Sequence, residues 1–205
     1  MVSLKACIVI GKANVGKTLF AINFAGYLGI TSLEIEFTPA DGKTYRRTLS
    51  QPEALQSLIS PNPHHTLGLQ RIQIQMPGFK GRKEFALVDT SGLTEDIPEQ
   101  PLIRRAMAQT LAQVREAAII LHLVDASSVG KLGAVEAMGQ VDWQVAQFGG
   151  MRDGYAILAN KMDLPEAAAG LAQIRQELPG HPILPISALL RTGFSEVKQF
   201  VWRHL

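Results

Sequence analysis

Eight residues near the start of the chain restrict its fold more than any other feature. Gly11-Lys12-Ala13-Asn14-Val15-Gly16-Lys17-Thr18 fits G-x-x-x-x-G-K-[ST] at every fixed position, after the apolar run 4–11 and ahead of the helical pattern 18–29. A strand, a glycine turn and a helix N-terminus in that order turn backbone N–H groups toward one point, where an anion can sit. In such a loop the lysine reaches the β- and γ-phosphate oxygens and the Thr hydroxyl binds Mg²⁺. Lys17 and Thr18 are therefore expected to meet a nucleotide, together with the loop residues Gly11, Asn14, Val15 and Gly16 and the helical residue Leu19. The motif requires a buried strand feeding directly into a helix, which points to an α/β fold.

The rest of the chain agrees with a sheet covered on both faces. Short apolar runs at 83–90, 117–126, 154–161 and 181–188 are bounded by turn residues and separated by helix-compatible stretches at about 99–115, 132–148 and 165–178, with 195–205 closing the chain. The run 67–76 is different, because Ile72, Ile74 and Met76 alternate with Arg71, Gln73 and Gln75. That period predicts a strand with one wet face, an antiparallel edge strand paired with the one ending at Asp89. Segment 30–66 stands apart as an insertion: a hairpin over 32–38 and 43–49, a short helix over 52–59, then the rigid Ser-Pro-Asn-Pro-His-His.

Composition narrows the classes further. A length of 205 residues fits one domain, and 46% apolar with 19% charged residues excludes a disordered chain. A formal charge of +2 does not by itself argue for a nucleic-acid or membrane field. The single cysteine, Cys7, lies in the first apolar run, reads as a buried thiol, and rules out both an intrachain disulfide and a cysteine-built metal site. The apolar runs fall well short of the roughly 20 residues of a spanning helix, and the first residues do not read as a signal peptide; the expectation is a cytoplasmic protein.

Two more groups carry chemistry. Asp89-Thr90-Ser91-Gly92 follows the strand residues Phe85–Val88, which would place Asp89 facing the phosphate loop, where a carboxylate can hold Mg²⁺ through a water and the Gly92 N–H can sense a γ-phosphate. Asn160-Lys161-Met162-Asp163 and Ser187-Ala188-Leu189 end the next strands. A carboxylate at Asp163 accepts two hydrogens from guanine N1 and N2 and meets no such pair on adenine, a physical reason to prefer GTP over ATP.

Taken together, GKANVGKT, a switch threonine, DTSG, NKMD and SAL resemble the translation-factor-related class of small P-loop GTPases, in its Era, TrmE and Obg-like branch. The resemblance implies a single G domain over 1–205, a three-layer Ras-like fold with a mostly parallel six-stranded sheet and one antiparallel edge strand. It also implies an enlarged first switch at about 30–66, a second switch at about 92–108, and a GTP-hydrolysing molecular switch with Mg²⁺. By the same resemblance Asn160 and Asp163 read the base, Lys161 packs over the nucleotide, the Ala188 N–H meets guanine O6 beside Ser187 and Leu189, and Asn14 helps hold a potassium ion. Lys17, Asn14, Thr66 and Gly92 are then the catalytic candidates, and Thr18, Thr66 and Asp89 the metal ligands.

Two departures shape the expectations. Leu93 follows DTSG where Ras-like members carry a water-orienting glutamine, so hydrolysis is expected to be slow alone and stimulated by potassium, dimerisation or a partner. The switch threonine is read as Thr66, which directly precedes the alternating strand, with Thr38 as the alternative; His64 and His65 beside Thr66 read as solvated loop histidines. Arg46-Arg47 and Arg82-Lys83 are too sparse to establish RNA or ribosome binding. The switch regions could instead meet a protein effector or a second copy. The competing readings are a guanine-nucleotide-binding module with little hydrolysis and a P-loop ATPase or phosphotransferase.

Overall fold

β1 (Lys5–Ile10) is the axis of the molecule: Cys7, Ile8, Val9 and Ile10 are all fully buried. The computed structural model describes residues 4–60, 67–78, 81–95 and 98–205. β1 pairs in parallel with β5 (Gly81–Asp89) on one side and with β6 (Ile119–Asp125) on the other. Beyond β6 the parallel set continues through β7 (Tyr155–Asn160) to the short β8 (Ile183–Pro185). Helices cover both faces of this set, which is why its strands are apolar without alternation. Burial also pushes the Cys7 thiol up, leaving it protonated and chemically quiet.

Beyond β5 the pairing changes direction. β4 (Gly68–Gly78) runs antiparallel to β5, β2 (Ser32–Pro39) antiparallel to β4, and β3 (Tyr45–Ser50) antiparallel to β2. Among the described residues the sheet therefore has eight strands in the order β3-β2-β4-β5-β1-β6-β7-β8. This overturns the expected six-stranded, mostly parallel sheet with one antiparallel edge. The hairpin of the insertion is not a separate excursion; it joins the main sheet. The reason is the period-two set Leu33, Ile35 and Phe37, all buried, with Ile35 in register with Ile72 of β4. That apolar face needed a core, and the row Ile72, Ile74 and Met76 of β4 supplies one. β4 keeps its wet face, with Gln73 and Gln75 exposed, but it is interior, and the edge passes to β3, where only Leu49 is buried.

Two apolar layers hold the helices. On one face α1 (Lys17–Tyr27), α2 (Gln51–Leu58) and α7 (Phe194–His204) cover the sheet; the rings of Phe20, Phe24 and Phe194 meet at centroid distances of 5.2, 5.4 and 5.6 Å. α2 starts from a capping box in which the Ser50 hydroxyl and the Glu53 carboxylate satisfy each other's backbone N–H, and it buries Ala54 and Leu58. The opposite face carries α3 (Pro101–Glu116), α4 (Ala126–Leu132), α5 (Ala134–Gly149) and α6 (Ala167–Glu177). α4 was not expected; the Asp125 carboxylate caps it, accepting from the Ser127 and Ser128 N–H at 3.0 and 3.1 Å. Trp143 packs on this layer, and Trp202 packs on the other beneath Lys83, whose ammonium lies 4.8 Å from the ring.

Candidate functional site

The ends of β1, β5, β7 and β8 and the start of α1 meet along one edge of the sheet, and the sequence signatures lie there. α1 opens at Gly16 with no side-chain cap, so the N–H groups of its first turn are left for another acceptor. Lys17 is 6% exposed, and its ammonium donates to the Lys12 carbonyl at 2.6 Å. Burial lowers its pKa to about 8, partly offset by the carboxylates of Asp89 and Asp142. Such a cation has shed most of its water and gains strongly from an arriving phosphate. Val15 and Leu19 turn their apolar side chains to the core. Asn14 takes a left-handed backbone conformation, φ 61°, in the middle of the loop.

Asp89 ends β5 facing the same point. The Thr18 hydroxyl donates to Asp89 Oδ2 at 2.7 Å, while Asp89 Oδ1 is buried with no hydrogen-bond partner among the described residues. Burial raises this carboxyl to about 6, against the Thr18 bond and the Lys17 charge, which pull it down. A buried, unsatisfied carboxylate oxygen beside a threonine hydroxyl is the hard-oxygen donor set that Mg²⁺ takes. Thr18 and Asp89 therefore fit the ion. The loop after Asp89 is held from both sides. The Thr90 hydroxyl donates to the Val9 carbonyl at 2.9 Å and the Ser91 hydroxyl meets that of Thr110 on α3 at 3.1 Å. Gly92 packs onto the phosphate loop so closely that a Cβ on it would come within 2.8 Å of the Ala13 nitrogen. Leu93, 2% exposed, donates its N–H to the Gly11 carbonyl at 3.1 Å.

The strand-end signatures at 160–163 and 187–189 are assembled by mutual hydrogen bonds. Asn160 donates through Nδ2 to the Val15 carbonyl at 2.7 Å and accepts at Oδ1 from the Ala188 N–H at 2.9 Å. The Ser187 hydroxyl donates to Asp163 Oδ1 at 2.5 Å and accepts from the Leu190 N–H at 3.0 Å. Asp163 is exposed and held by Ser187, and Leu189 and Leu190 beside it are 63% and 61% exposed. Lys161, at φ 66°, pairs its ammonium with Asp125 at 2.6 Å.

The structure thus brings together Gly11, Asn14, Gly16, Lys17, Thr18, Asp89 and Gly92 at one end, and Asn160, Lys161, Asp163, Ser187, Ala188 and Leu189 at the other. Thr66 lies outside the described residues, as do His64 and His65. Thr38 sits inside β2 opposite Leu69, its hydroxyl 3.4 Å from that of Thr44. Of the basic pairs, Arg46 is bound to Glu36 and Lys83 donates to the Trp202 carbonyl. Sequence reasoning missed Asn23, which is buried and donates to the Ala188 carbonyl at 2.8 Å while accepting from Gln51 of α2 at 3.1 Å. It missed Asp125 too, although a carboxylate ending an apolar strand beside NKMD could have signalled it.

Comparison with known proteins places these features in a family. A profile described as "50S ribosome-binding GTPase" matches residues 6–161. GTPase Obg of Halalkalibacterium halodurans is 31% identical over 138 residues, covering 66% of this chain and 29% of the relative. GTPase Obg of Bacillus velezensis is 29% identical over 119 residues, covering 56% and 27%. The chain spans less than a third of the length of these curated relatives. Among solved structures, Era of Aquifex aeolicus bound to GDP.AlF4⁻ superposes with a TM-score of 0.69 at 20% identity, covering all of this chain and 57% of the other. The FeoB G-domain of Methanococcus jannaschii superposes at 0.58 and 17%, covering 100% and 98%.

Proposed function

The chain belongs to the 50S ribosome-binding GTPase family, a P-loop GTP-binding and GTP-hydrolysing class of molecular switch, and from that premise we propose how its residues divide the work. Asp163, fixed by Ser187, accepts the guanine N1 and N2 hydrogens, and the Ala188 N–H, which donates to Asn160 Oδ1 in this structure, turns to O6 when the base arrives. Lys17 and the first N–H groups of α1 bind the phosphates and stabilise the charge that develops as the terminal phosphoryl group leaves. Thr18, Asp89 and the switch threonine Thr66 would hold Mg²⁺, which supplies positive charge against the β- and γ-phosphate oxygens when bound. The Gly92 N–H reports the third phosphate. The observation that carries this reading is the buried Asp89 oxygen with no partner among the described residues, beside a threonine hydroxyl and a desolvated lysine.

Leu93 gives the reading its character. A buried leucine can orient no water, so turnover by this chain alone is slow and depends on groups brought from outside. Asn14 carries the neutral amide oxygen that an alkali cation takes, and we assign potassium stimulation to it. The switch regions are the surface for a protein effector or a second copy. Ribosomal RNA has less support, since Arg46 and Lys83 are already engaged. We place the protein in the cytoplasm, with its nucleotide; among the described residues no helix is long and apolar enough to cross a membrane. Single-turnover hydrolysis of GTP, with Mg²⁺ and either K⁺ or Na⁺, tests the proposal. Release of phosphate that is faster in K⁺ supports it, equal rates remove the role of Asn14, and tight GTP binding without release leaves a guanine-nucleotide-binding module, the reading that Leu93 favours second.

A further inference from the structure

Helix α5 is broken. Gly139 has φ 65° and ψ −172°, a conformation essentially confined to glycine, and it interrupts the helical hydrogen bonds. A break of this kind leaves carbonyls bare on its N-terminal side and N–H groups bare on its C-terminal side. Here both sets are taken by side chains from elsewhere. The Lys12 ammonium, from the phosphate loop, lies 3.3 and 3.4 Å from the Ala137 and Met138 carbonyls. The Glu95 carboxylate, three residues past Gly92, accepts from the Gln140 and Val141 N–H at 2.8 and 3.2 Å. Lys12 and Glu95 also pair with each other at 2.9 Å. Each charge has the sign that the adjoining helix end favours. Partial burial pushes the Glu95 carboxyl up, but Lys12 and the two amides outweigh it and hold the group below the usual carboxylate range.

The fit depends on glycine, because a Cβ at 139 would lie 2.1 Å from Glu95 Oε1. The stretch 92–95 is consequently stapled twice, by the Leu93 N–H on the Gly11 carbonyl and by Glu95 in the break of α5. Between the staples and the phosphate loop lies Gly92, packed on Ala13.

We propose that Lys12, Glu95 and the break at Gly139 form a latch that keeps Gly92 against the phosphate loop, so that Glu95 is a positioning residue for recognition of the third phosphate. The latch rests on the functional reading above, since it acts through the Gly92 N–H. It favours GTP over GDP, because GDP has no group for that N–H to meet.

The test is the ratio of dissociation constants for GTPγS and GDP, measured by competition with a fluorescent guanine nucleotide on the full chain and on Glu95→Gln and Gly139→Ala, with melting temperatures of each in GDP. Loss of the charged acceptor weakens GTPγS about tenfold, or about 1.4 kcal/mol, and leaves GDP within about twofold. Gly139→Ala gives the same shift, and the double variant adds nothing to it. Glu95→Gln, at a partly exposed position, decides alone if Gly139→Ala melts below the assay temperature. An unchanged ratio in Glu95→Gln, or an equal loss for both nucleotides, overturns the latch while the functional reading stands. A parent chain that binds neither nucleotide overturns that reading and the latch with it.

Discussion

The two ends of the nucleotide site satisfy their polar groups in different ways. At the end we assign to the base, Asn160, Ala188, Ser187 and Asp163 bond one another and the Val15 carbonyl, so that surface is assembled without a ligand. At the phosphate end Asp89 keeps a buried oxygen with no partner among the described residues, and the Lys17 ammonium donates to a loop carbonyl. The first arrangement holds the Asp163 carboxylate in place ahead of binding and, on the proposed reading, asks only the Ala188 N–H to change partner. The second holds desolvated charge that phosphate and metal relieve, and so couples the folded state to the ligand.

The sharpest way to break the contrast is at Asp163. If Asp163 meets the two guanine donors as proposed, Asp163→Ala lowers GDP and GTP affinity by about 100-fold or more while weak ATP binding is unaffected, read by competition titration. A loss shared equally by ATP would place the defect in the loop's fold.

At the other end Asp89→Asn should separate stability from function. Because the carboxyl sits at about 6 in the folded protein against an ordinary 3.8, the folded state binds the extra proton between those values, and stability of the nucleotide-free protein falls as pH rises through that window. Asp89→Asn should therefore raise nucleotide-free stability at pH 7 by up to about 3 kcal/mol, less what the buried Lys17 loses with the Asp89 charge, and flatten its pH dependence between about 4 and 6 in chemical denaturation. The same variant should lose the gain in affinity that Mg²⁺ gives.

Thr66→Ala should lower Mg²⁺-dependent binding of a GTP analogue about tenfold with Thr38→Ala unchanged, since the Thr38 hydroxyl faces Thr44 within a hairpin. The reverse result would move the first switch to the end of β2. Smallest of all, Gln51→Ala takes one hydrogen bond from Asn23, which holds the Ala188 carbonyl, and should cost about 1 kcal/mol of stability and about twofold in GDP affinity. Unchanged values for both would show that the insertion does not reach the base end.

What was legible in the sequence follows the same division. The phosphate loop, Asp89 and the motifs at 160–163 and 187–189 are short, fixed spacings at strand ends, and local chemistry singles them out without knowledge of the fold. The alternation of Ile72, Ile74 and Met76 likewise announced β4 and its antiparallel partner. That alternation could not say what lies beyond it. Whether Leu33, Ile35 and Phe37 close a separate hairpin or extend the main sheet depends on a register with β4 that no local pattern carries. The latch was hidden for a similar reason: nothing in the local sequence pairs Lys12 with Glu95, and only the break in α5 makes them partners.

The added hairpin has one more consequence, for the life of the protein in a crowded solution. A sheet that ended at β4 would offer strangers an eleven-residue strand with a hydrophobic row and free backbone groups. The sheet ends instead in the six residues of β3, where Tyr45 to Thr48 face solvent and the Arg46 guanidinium grips Glu36 of the strand behind with Nε and Nη2 at 3.0 and 2.8 Å. A short, charged border is a poor template for a foreign strand. The insertion thereby acts as a selvedge, keeping the sheet from growing into its neighbours.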